Sequence, residues 1–226
     1  MENVTDSFNK LPDATLPFPV EWISEHPERV EDVLTKLSVE DQIRCAMQLQ
    51  GPQMQNFINL SPNAQTIIRG LPPEGLYQMI KETGIGESLP VLALMSQGQL
   101  QYSFDLEWWH RDRFVPECAL EWIEHLDKCE DSSVLEWLQN EDFDQKVVLL
   151  QSLIKVYKDD EMTNSYEGVE GMPHLNMDGV YDIYFKTEEH GALKRLLTLL
   201  RSDDPALYES LLEAVIWYPV TQTVEQ

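Results

Sequence analysis

A short motif recurs along this chain at intervals of 34 and 35 residues. Each copy is an apolar residue followed by Ser or Pro and then by polar positions, and the copies begin at Leu37, Leu60, Leu71 and Met95. Ser and Pro are typical of a helix N-terminus, because Ser accepts a bond from a free backbone N–H and Pro lacks only a donor that would be unpaired there. A period in the thirties predicts a helical repeat, whose short helices bury their apolar faces by stacking.

Apolar residues follow a helical period along most of the chain. They recur at relative positions 0, 3, 4 and 7, the stripe of an amphipathic helix. Two of these stripes are Val30, Val33, Leu34 and Leu37, and Leu150, Leu153, Ile154 and Tyr157. The chain is therefore predicted to be mainly α, a superhelix of short stacked helices, with strand confined near residues 172–186.

A small β-hairpin is predicted where this helical spacing is lost. Asp178 and Gly179 form a favoured two-residue turn, and Pro173 restricts the first arm to an edge position. The residues that would share one face of the second arm are Tyr181, Ile183 and Phe185. An isolated hairpin is marginal in water, so we expect it to lie against helices or to pair with another chain.

Five segments follow from these patterns. The predicted segments are an extended tail at 1–19, the helical-repeat superhelix at 20–157, an acidic loop with the hairpin at 158–186, a C-terminal helix pair packed on the same body at 187–218, and a tail at 219–226.

The charge balance narrows the classes of function. The chain has 40 acidic and 16 basic residues and a formal net charge of −24, and so negative a surface repels nucleic-acid backbones and anionic headgroups. No apolar run approaches the ~20 residues of a membrane helix, and the N-terminus lacks the basic and apolar regions of a signal peptide. We expect a cytoplasmic protein without nucleic-acid binding or membrane insertion.

The cysteines predict neither a disulfide framework nor a cofactor. Cys45, Cys118 and Cys129 form no C-x-x-C pair, which fits a reducing compartment. On an unbroken helix, Cys118, Trp122, His125 and Cys129 would share one face, and the last two would have the i, i+4 spacing of half a zinc site. No further ligand lies at motif spacing, and Cys is also a common small buried residue, so a structural role is the simpler interpretation.

The densest mixture of aromatic and ionisable residues lies at 105–113. Its candidate binding residues are Trp108, Trp109, His110, Arg111 and Arg113. Trp and Arg dominate binding hot spots, and a His between carboxylates is a candidate acid or base. The alternative is structural, with one Trp in the core and the charged residues capping helices. Neighbours on a helix point about 100° apart, so we expect one Trp buried and the other partly exposed near His110.

Acidic residues concentrate between positions 105 and 170, which hold 18 Asp or Glu against 6 Lys or Arg. The candidate ligands for Mg²⁺ or Ca²⁺, which prefer oxygen, are Asp159, Asp160 and Glu161, with Glu167 and Glu170 nearby. They lack the alternate-residue spacing of a calcium loop. A mobile, solvated acidic loop is therefore the simpler hypothesis.

Several stretches carry a family resemblance. They are residues 71–84, beginning Leu71-Pro72-Pro73-Glu74, then Trp108-Trp109-His110-Arg111-Asp112-Arg113, Leu153-Ile154-Lys155-Val156-Tyr157-Lys158 and Asp178-Gly179-Val180-Tyr181. Over about residues 35–218 the chain resembles a family of uncharacterised bacterial proteins of unknown function, a resemblance that implies no activity and no catalytic residues. More remotely, the Leu-(Ser/Pro)-x-Glu motif is similar to the cytosolic N-terminal domain of MgtE-type magnesium transporters. That similarity implies a superhelix of short helices and Mg²⁺ binding by acidic groups.

These observations lead to three functional hypotheses. Common enzyme motifs such as G-x-S-x-G, G-x-x-x-x-G-K and H-E-x-x-H are missing. The first hypothesis is a protein-interaction or scaffold module with an unknown protein partner, which would use residues 108–113 and the acidic loop after Tyr157. The alternative is a regulatory domain that binds Mg²⁺ or Ca²⁺, and the third is an enzyme centred on His110.

Overall fold

The structure, a computed structural model, describes residues 16–111, 113–129, 133–140, 143–158 and 168–218. Most of these residues are helical, which confirms the predicted mainly α class. The chain divides into two compact units, Met1–Ser103 and Phe104–Gln226. The five segment boundaries proposed from the sequence stay predictions.

The described part of the first unit consists of short helices with short connections. These helices are α1 (Trp22–Glu25), α2 (Pro27–Leu34), α3 (Val39–Ala46), α4 (Gly51–Asn59), α5 (Ala64–Gly70), α6 (Pro73–Thr83), α7 (Leu89–Leu92) and the start of α8 (Gln97–Glu107). Within the predicted N-terminal tail, Phe18 is buried and its ring stacks on Phe57 at 6.0 Å.

Two of the helix starts predicted from the recurring motif are capped by its serine, whereas Ser61 does not cap α5, which begins at Ala64 without a side-chain cap. The Ser38 hydroxyl accepts a bond from the Asp41 N–H at 3.1 Å and caps α3. At the start of α8, Ser96 and Gln99 form a reciprocal pair. The Gln99 N–H donates to Ser96 Oγ at 3.4 Å, and the Ser96 N–H donates to Gln99 Oε1 at 3.0 Å. Each bond satisfies a backbone donor that has no partner inside the helix.

Two buried glutamines close the opposite ends of helices in the same unit. Their side-chain amides donate to carbonyls at the ends of α2 and α5, which lack partners within the helix. The acceptors are the carbonyls of Leu34 and Leu37 for Gln42, at 2.9 and 3.2 Å, and those of Ile68 and Leu71 for Gln99, both at 2.8 Å. Corresponding acceptors are therefore 34 residues apart along the chain.

The second unit combines helices with two small antiparallel sheets. After the end of α8, its elements are β1 (Trp109–His110), β2 (Arg113–Phe114), α9 (Pro116–Leu126), α10 (Ser133–Asn140), α11 (Phe143–Leu153), β3 (Ile154–Lys158), β4 (His174–Leu175), β5 (Tyr181–Phe185), α12 (Gly191–Asp203) and α13 (Pro205–Trp217). One sheet pairs β1 with β2, and the other has the strand order β3-β5-β4.

The predicted hairpin is present as strands β4 and β5. The three residues assigned to one face of β5, namely Tyr181, Ile183 and Phe185, are all buried. The first arm is an edge strand, as Pro173 indicated, and β5 also pairs with β3 of the same chain. The two-residue turn at Asp178 and Gly179 was wrong, because five residues connect β4 to β5. Asp178 Oδ1 shapes this longer loop by accepting bonds from the N–H groups of Val180 and Tyr181 at 2.8 and 2.9 Å.

The expectation that strand is confined near residues 172–186 was also wrong. Strands β1, β2 and β3 all lie outside that range. Helix α11 ends at Leu153, so Ile154 and Tyr157, predicted on a helical stripe, lie in β3. Residues 154–158 satisfy the helical spacing and also alternate apolar with polar side chains. Pairing with β5 decides between the two periods.

The C-terminal helices complete the core of the second unit. Helix α12 packs on α9, α10 and α13, and α13 also packs on α11 and β3. The Arg195 guanidinium on α12 pairs with both carboxylate oxygens of Asp127 at the end of α9. Within the part of the chain that is described, no helix has the length and apolar character needed to cross a membrane.

Candidate functional site

The residues singled out at 108–113 lie mainly on a tight β-hairpin. Strands β1 and β2 pair in antiparallel register, with Trp109 opposite Phe114 and His110 opposite Arg113. Only positions 111 and 112 connect them. A bond from the Val115 N–H to the Trp108 carbonyl, at 2.7 Å, closes the base. We call the described residues 109–111 and 113–114 the tip hairpin.

Arg111 holds the turn in an unusual backbone conformation. Its φ is +48°, a left-handed value that no other non-glycine residue adopts in the described part of the chain. The favoured two-residue hairpin turns need a positive φ at their first central position, where Gly, Asn and Asp are preferred. A left-handed residue with a Cβ costs roughly 1–2 kcal/mol, so this turn is less stable than the same turn with glycine.

Buried aromatic rings support the hairpin. Trp108 stacks on Phe104 with ring centroids 4.1 Å apart, and it meets Trp137 edge to face at 5.4 Å. Phe104 also contacts Trp122, at 5.6 Å, and the Phe114 ring lies 6.1 Å from that of Trp108. Edge-to-face and offset aromatic pairs add roughly 0.5–1.5 kcal/mol each beyond area burial. The tip hairpin therefore has a rigid base.

The prediction of one buried and one exposed Trp is confirmed. Trp108 is 4% exposed, whereas Trp109 is 37% exposed. The helical argument behind it was wrong, because α8 ends at Glu107 and Trp109 lies in β1. The buried Trp108 Nε1–H has no hydrogen-bond acceptor within the described residues. Burial of an unpaired donor costs about 1–3 kcal/mol.

The two faces of the tip hairpin differ in chemistry. Side chains alternate across a strand, so the cross-strand pair of Trp109 and Phe114 lies on one face and the pair of His110 and Arg113 on the other. The Trp109 and Phe114 rings meet edge to face at 5.3 Å. His110, Arg111 and Arg113 are exposed. Neither arginine forms an ion pair or hydrogen bond with any residue in the described ranges.

Of the acidic candidates named from the sequence, the structure describes only Glu170. Asp159, Asp160, Glu161 and Glu167 lie outside the described residues, and Glu170 is exposed in a turn after them. Among described residues, no group of three or more His, Cys, Asp or Glu is arranged to hold a metal ion. Cation binding by the acidic segment stays a prediction.

The half zinc site considered for α9 extends past the end of that helix, and Cys129 Sγ donates to the His125 carbonyl at 3.6 Å. The helix stops at Leu126, before Cys129. His125 Nδ1 donates to the Glu121 carbonyl at 2.8 Å, since a carbonyl only accepts. Burial raises the pKa of the Cys129 thiol, which disfavours the thiolate that zinc binds.

Sequence reasoning did not identify an open cleft of about 430 Å³ in the second unit. The end of α9 and the start of α12 line it, and Arg195, Asp127 and Lys128 are among its charged residues. His190 enters the lining with its ring stacked on buried Phe185 at 4.6 Å. The lining residues are separated by about 70 positions in sequence, from Glu124 to Arg195, and no local motif connects them.

Comparison with known protein families shows which family the chain belongs to. Residues 31–226 match the profile of a family of unknown function, DUF6178. The chain belongs to this family. Membership in DUF6178 confirms the resemblance stated from the sequence, whereas the remote similarity to MgtE-type domains stays a prediction. The DUF6178 match covers the tip hairpin and all of the second unit. No curated protein and no solved structure matches the chain.

Proposed function

We propose that this DUF6178 protein is a protein-interaction module whose contact surface is the tip hairpin. The observation that carries the proposal is Trp109, held 37% exposed on a rigid aromatic base in a hairpin that also carries exposed Arg111 and Arg113. Trp and Arg are the residues that most often dominate the affinity of protein interfaces. A preorganised hairpin also loses little conformational entropy on binding.

The helical repeat predicted from the sequence is part of this proposal. Two features 34 residues apart support it, namely the glutamine-bonded carbonyls of Leu34 and Leu37 and those of Ile68 and Leu71. Repeats of short helices commonly serve as binding scaffolds, and we assign the first unit this supporting role.

Site-specific crosslinking tests the interaction role. A photoreactive phenylalanine analogue replaces Trp109 in cells of the source organism, and the matched control carries it at Trp217, the 73% exposed tryptophan at the end of α13. We expect a discrete protein adduct at position 109 that the control does not form. The partner protein identified in the adduct is then purified without the crosslink. Its binding to wild type, Trp109→Ala and Trp217→Ala is measured by calorimetry.

Trp109→Ala should weaken this binding by about 2 kcal/mol or more, the usual cost of truncating a hot-spot residue, whereas Trp217→Ala should leave it unchanged. If both positions give the same adducts, or if Trp109→Ala binds as tightly as wild type, the tip hairpin is not the contact surface.

A further inference from the structure

We infer that the partner segment which the tip hairpin accepts is acidic, an inference that rests on the interaction role proposed above. The hairpin carries exposed Arg111 in its turn, exposed Arg113 on β2 and exposed Trp109 on β1. The fitting ligand is a carboxylate-rich protein segment with an apolar side chain among the acidic ones.

The whole chain is strongly acidic, with a formal net charge of −24. A basic partner would find favourable potential over much of this surface and would gain little from the tip hairpin in particular. The guanidinium groups of Arg111 and Arg113 have no ion pair within the described ranges, and they match carboxylates, which guanidinium groups bind through paired N–H donors. The long-range repulsion of an acidic partner is screened over about 8 Å at physiological salt, whereas contact pairs persist.

Acidic residues of the same segment bear on this argument. Asp105 and Glu107 on α8 take part in other interactions, and their negative charges oppose an acidic ligand. Asp112 separates the two arginines in sequence and lies outside the described residues. Its charge opposes an acidic ligand whatever its position, so removing that charge is a useful variant.

The turn itself favours a role for the Arg111 side chain. A turn that only reversed the chain would be more stable with Gly or Asn at a φ of +48°. Strained backbone positions occur where function needs the side chain. Here the strained position projects a guanidinium at the end of the hairpin. Arg111 is therefore the residue we assign to ligand recognition.

The two-faced hairpin also specifies where an apolar side chain of the ligand binds. Trp109 and Phe114 present an edge-to-face aromatic pair on the face opposite to His110 and Arg113. A segment that crosses the end of the hairpin meets the arginines with its carboxylates and the Trp109 ring with an apolar side chain. Acidic residues alone would leave that ring unused.

Fluorescence anisotropy with defined probes tests the inference on the full chain. The probes are a labelled acidic peptide of Asp and Glu with a single Phe, the same peptide with Asn and Gln, the same peptide with Lys, and an oligothymidylate of equal charge to the acidic peptide. The variants are Arg111→Gly with Arg113→Gln, Trp109→Ala, and Asp112→Asn. The control is Lys36→Gln with Lys194→Gln, which removes two exposed cations elsewhere.

Among the four probes, we expect only the acidic peptide to show saturable binding. The double arginine variant should weaken it at least about tenfold, since two charge-assisted contacts are lost, and the lysine control should not. Asp112→Asn should tighten binding. Salt is not the variable of choice, because added salt weakens both the local attraction and the long-range repulsion.

Three outcomes overturn the inference. The first is preference for the Lys or the neutral peptide, and the second is tighter binding of the oligothymidylate, which would indicate a phosphate ligand. In the third, no probe binds, or the arginine variant binds as wild type does. The interaction role is judged separately, by the adduct at position 109 and the calorimetry of Trp109→Ala. That role can therefore hold while the acidic ligand is rejected.

Discussion

At the scale of single residues, some polar side chains stabilise the fold, whereas others occupy positions that destabilise it. Gln99 is 4% exposed and satisfies two helix-end carbonyls with one amide. Arg111 is exposed, has a φ of +48° and has no ion pair within the described ranges. Both are polar residues, and the sequence alone does not distinguish their roles.

Arg111→Gly should stabilise the protein by about 0.5–1 kcal/mol. Removing a left-handed Cβ gains roughly 1–2 kcal/mol, and the greater freedom of glycine in the unfolded chain offsets part of that gain. Urea denaturation of Arg111→Gly, with Arg113→Gly as the comparison, measures the change in the free energy of unfolding. Position 113 lies in β2, where glycine should cost about 0.5–1 kcal/mol. Equal losses from both substitutions would contradict the strain argument.

Gln99→Met should destabilise the first unit by about 1–3 kcal/mol, because it preserves side-chain volume, leaves the buried Leu71 carbonyl without this donor and removes the acceptor of the Ser96 N–H. The matched control is Gln78→Met, which removes an exposed glutamine that bonds only Glu82, at 2.8 Å. That change should stay within about 0.5 kcal/mol. The denaturation midpoints of the two variants test this prediction. If Gln99→Met leaves the free energy of unfolding unchanged, the hydrogen bonds of the Gln99 amide make no net contribution to stability.

At the scale of elements, one carboxylate connects the second sheet to the last helix. Glu213 on α13 accepts bonds from Lys158 Nζ on β3 at 2.5 Å and from the Tyr181 hydroxyl on β5 at 2.7 Å. It also accepts a bond from Trp217 Nε1 at 2.9 Å. The bond from Lys158 lowers the pKa of Glu213 below its usual value of 4.5, and the bond from Tyr181 adds to this effect.

This lowered pKa predicts a pH-dependent stability. A carboxyl whose pKa falls on folding stabilises the native state above its unfolded value, and this contribution disappears as the pH falls through the folded value. Near neutral pH the melting temperature of wild type should therefore exceed that of Glu213→Gln. This difference should become smaller as the pH falls below 4.5, the ordinary pKa of the group. Thermal melts from about pH 7 to pH 3 measure it.

Glu209→Gln is the control for this pH series. Glu209 is exposed on the same helix, and its substitution removes the same charge. Its difference from wild type should be small throughout. A Glu213→Gln deficit that stays constant down to the lowest pH would mean that lost packing, and not the ionised carboxylate, explains the destabilisation.

Elements also show where local pattern is insufficient. The stripe from Val30 to Leu37 correctly predicted helix α2 and its buried face. The stripe from Leu150 to Tyr157 had the same spacing, yet its second half is β3. Because β5 offers a strand partner there, the same pattern has two outcomes. The β1–β2 hairpin carries no Gly or Asn at its turn, so no sequence signal indicated it.

At the scale of the whole molecule, charge is the dominant property. A net charge of −24 makes the native state self-repelling, and salt screens that repulsion. Raising NaCl from about 0.05 M to about 0.5 M at neutral pH should raise the melting temperature by a few degrees. Near the isoelectric point of about 4.3, the same series should have little effect. A melting temperature that falls with salt at neutral pH would show that ion pairs such as Arg195 with Asp127 dominate instead.

The sequence by itself determined the mainly helical class, the caps at Ser38 and Ser96, and the hairpin that contains β5. These features depend on residues close in sequence, so local period and capping chemistry suffice. Tertiary structure alone decided that residues 154–158 form a strand, that Arg111 adopts a left-handed turn, and that Gln99 reaches the carbonyls of Ile68 and Leu71. In each case a partner element selects between conformations that the local sequence permits, and the free energy of that pairing is absent from any window along the chain.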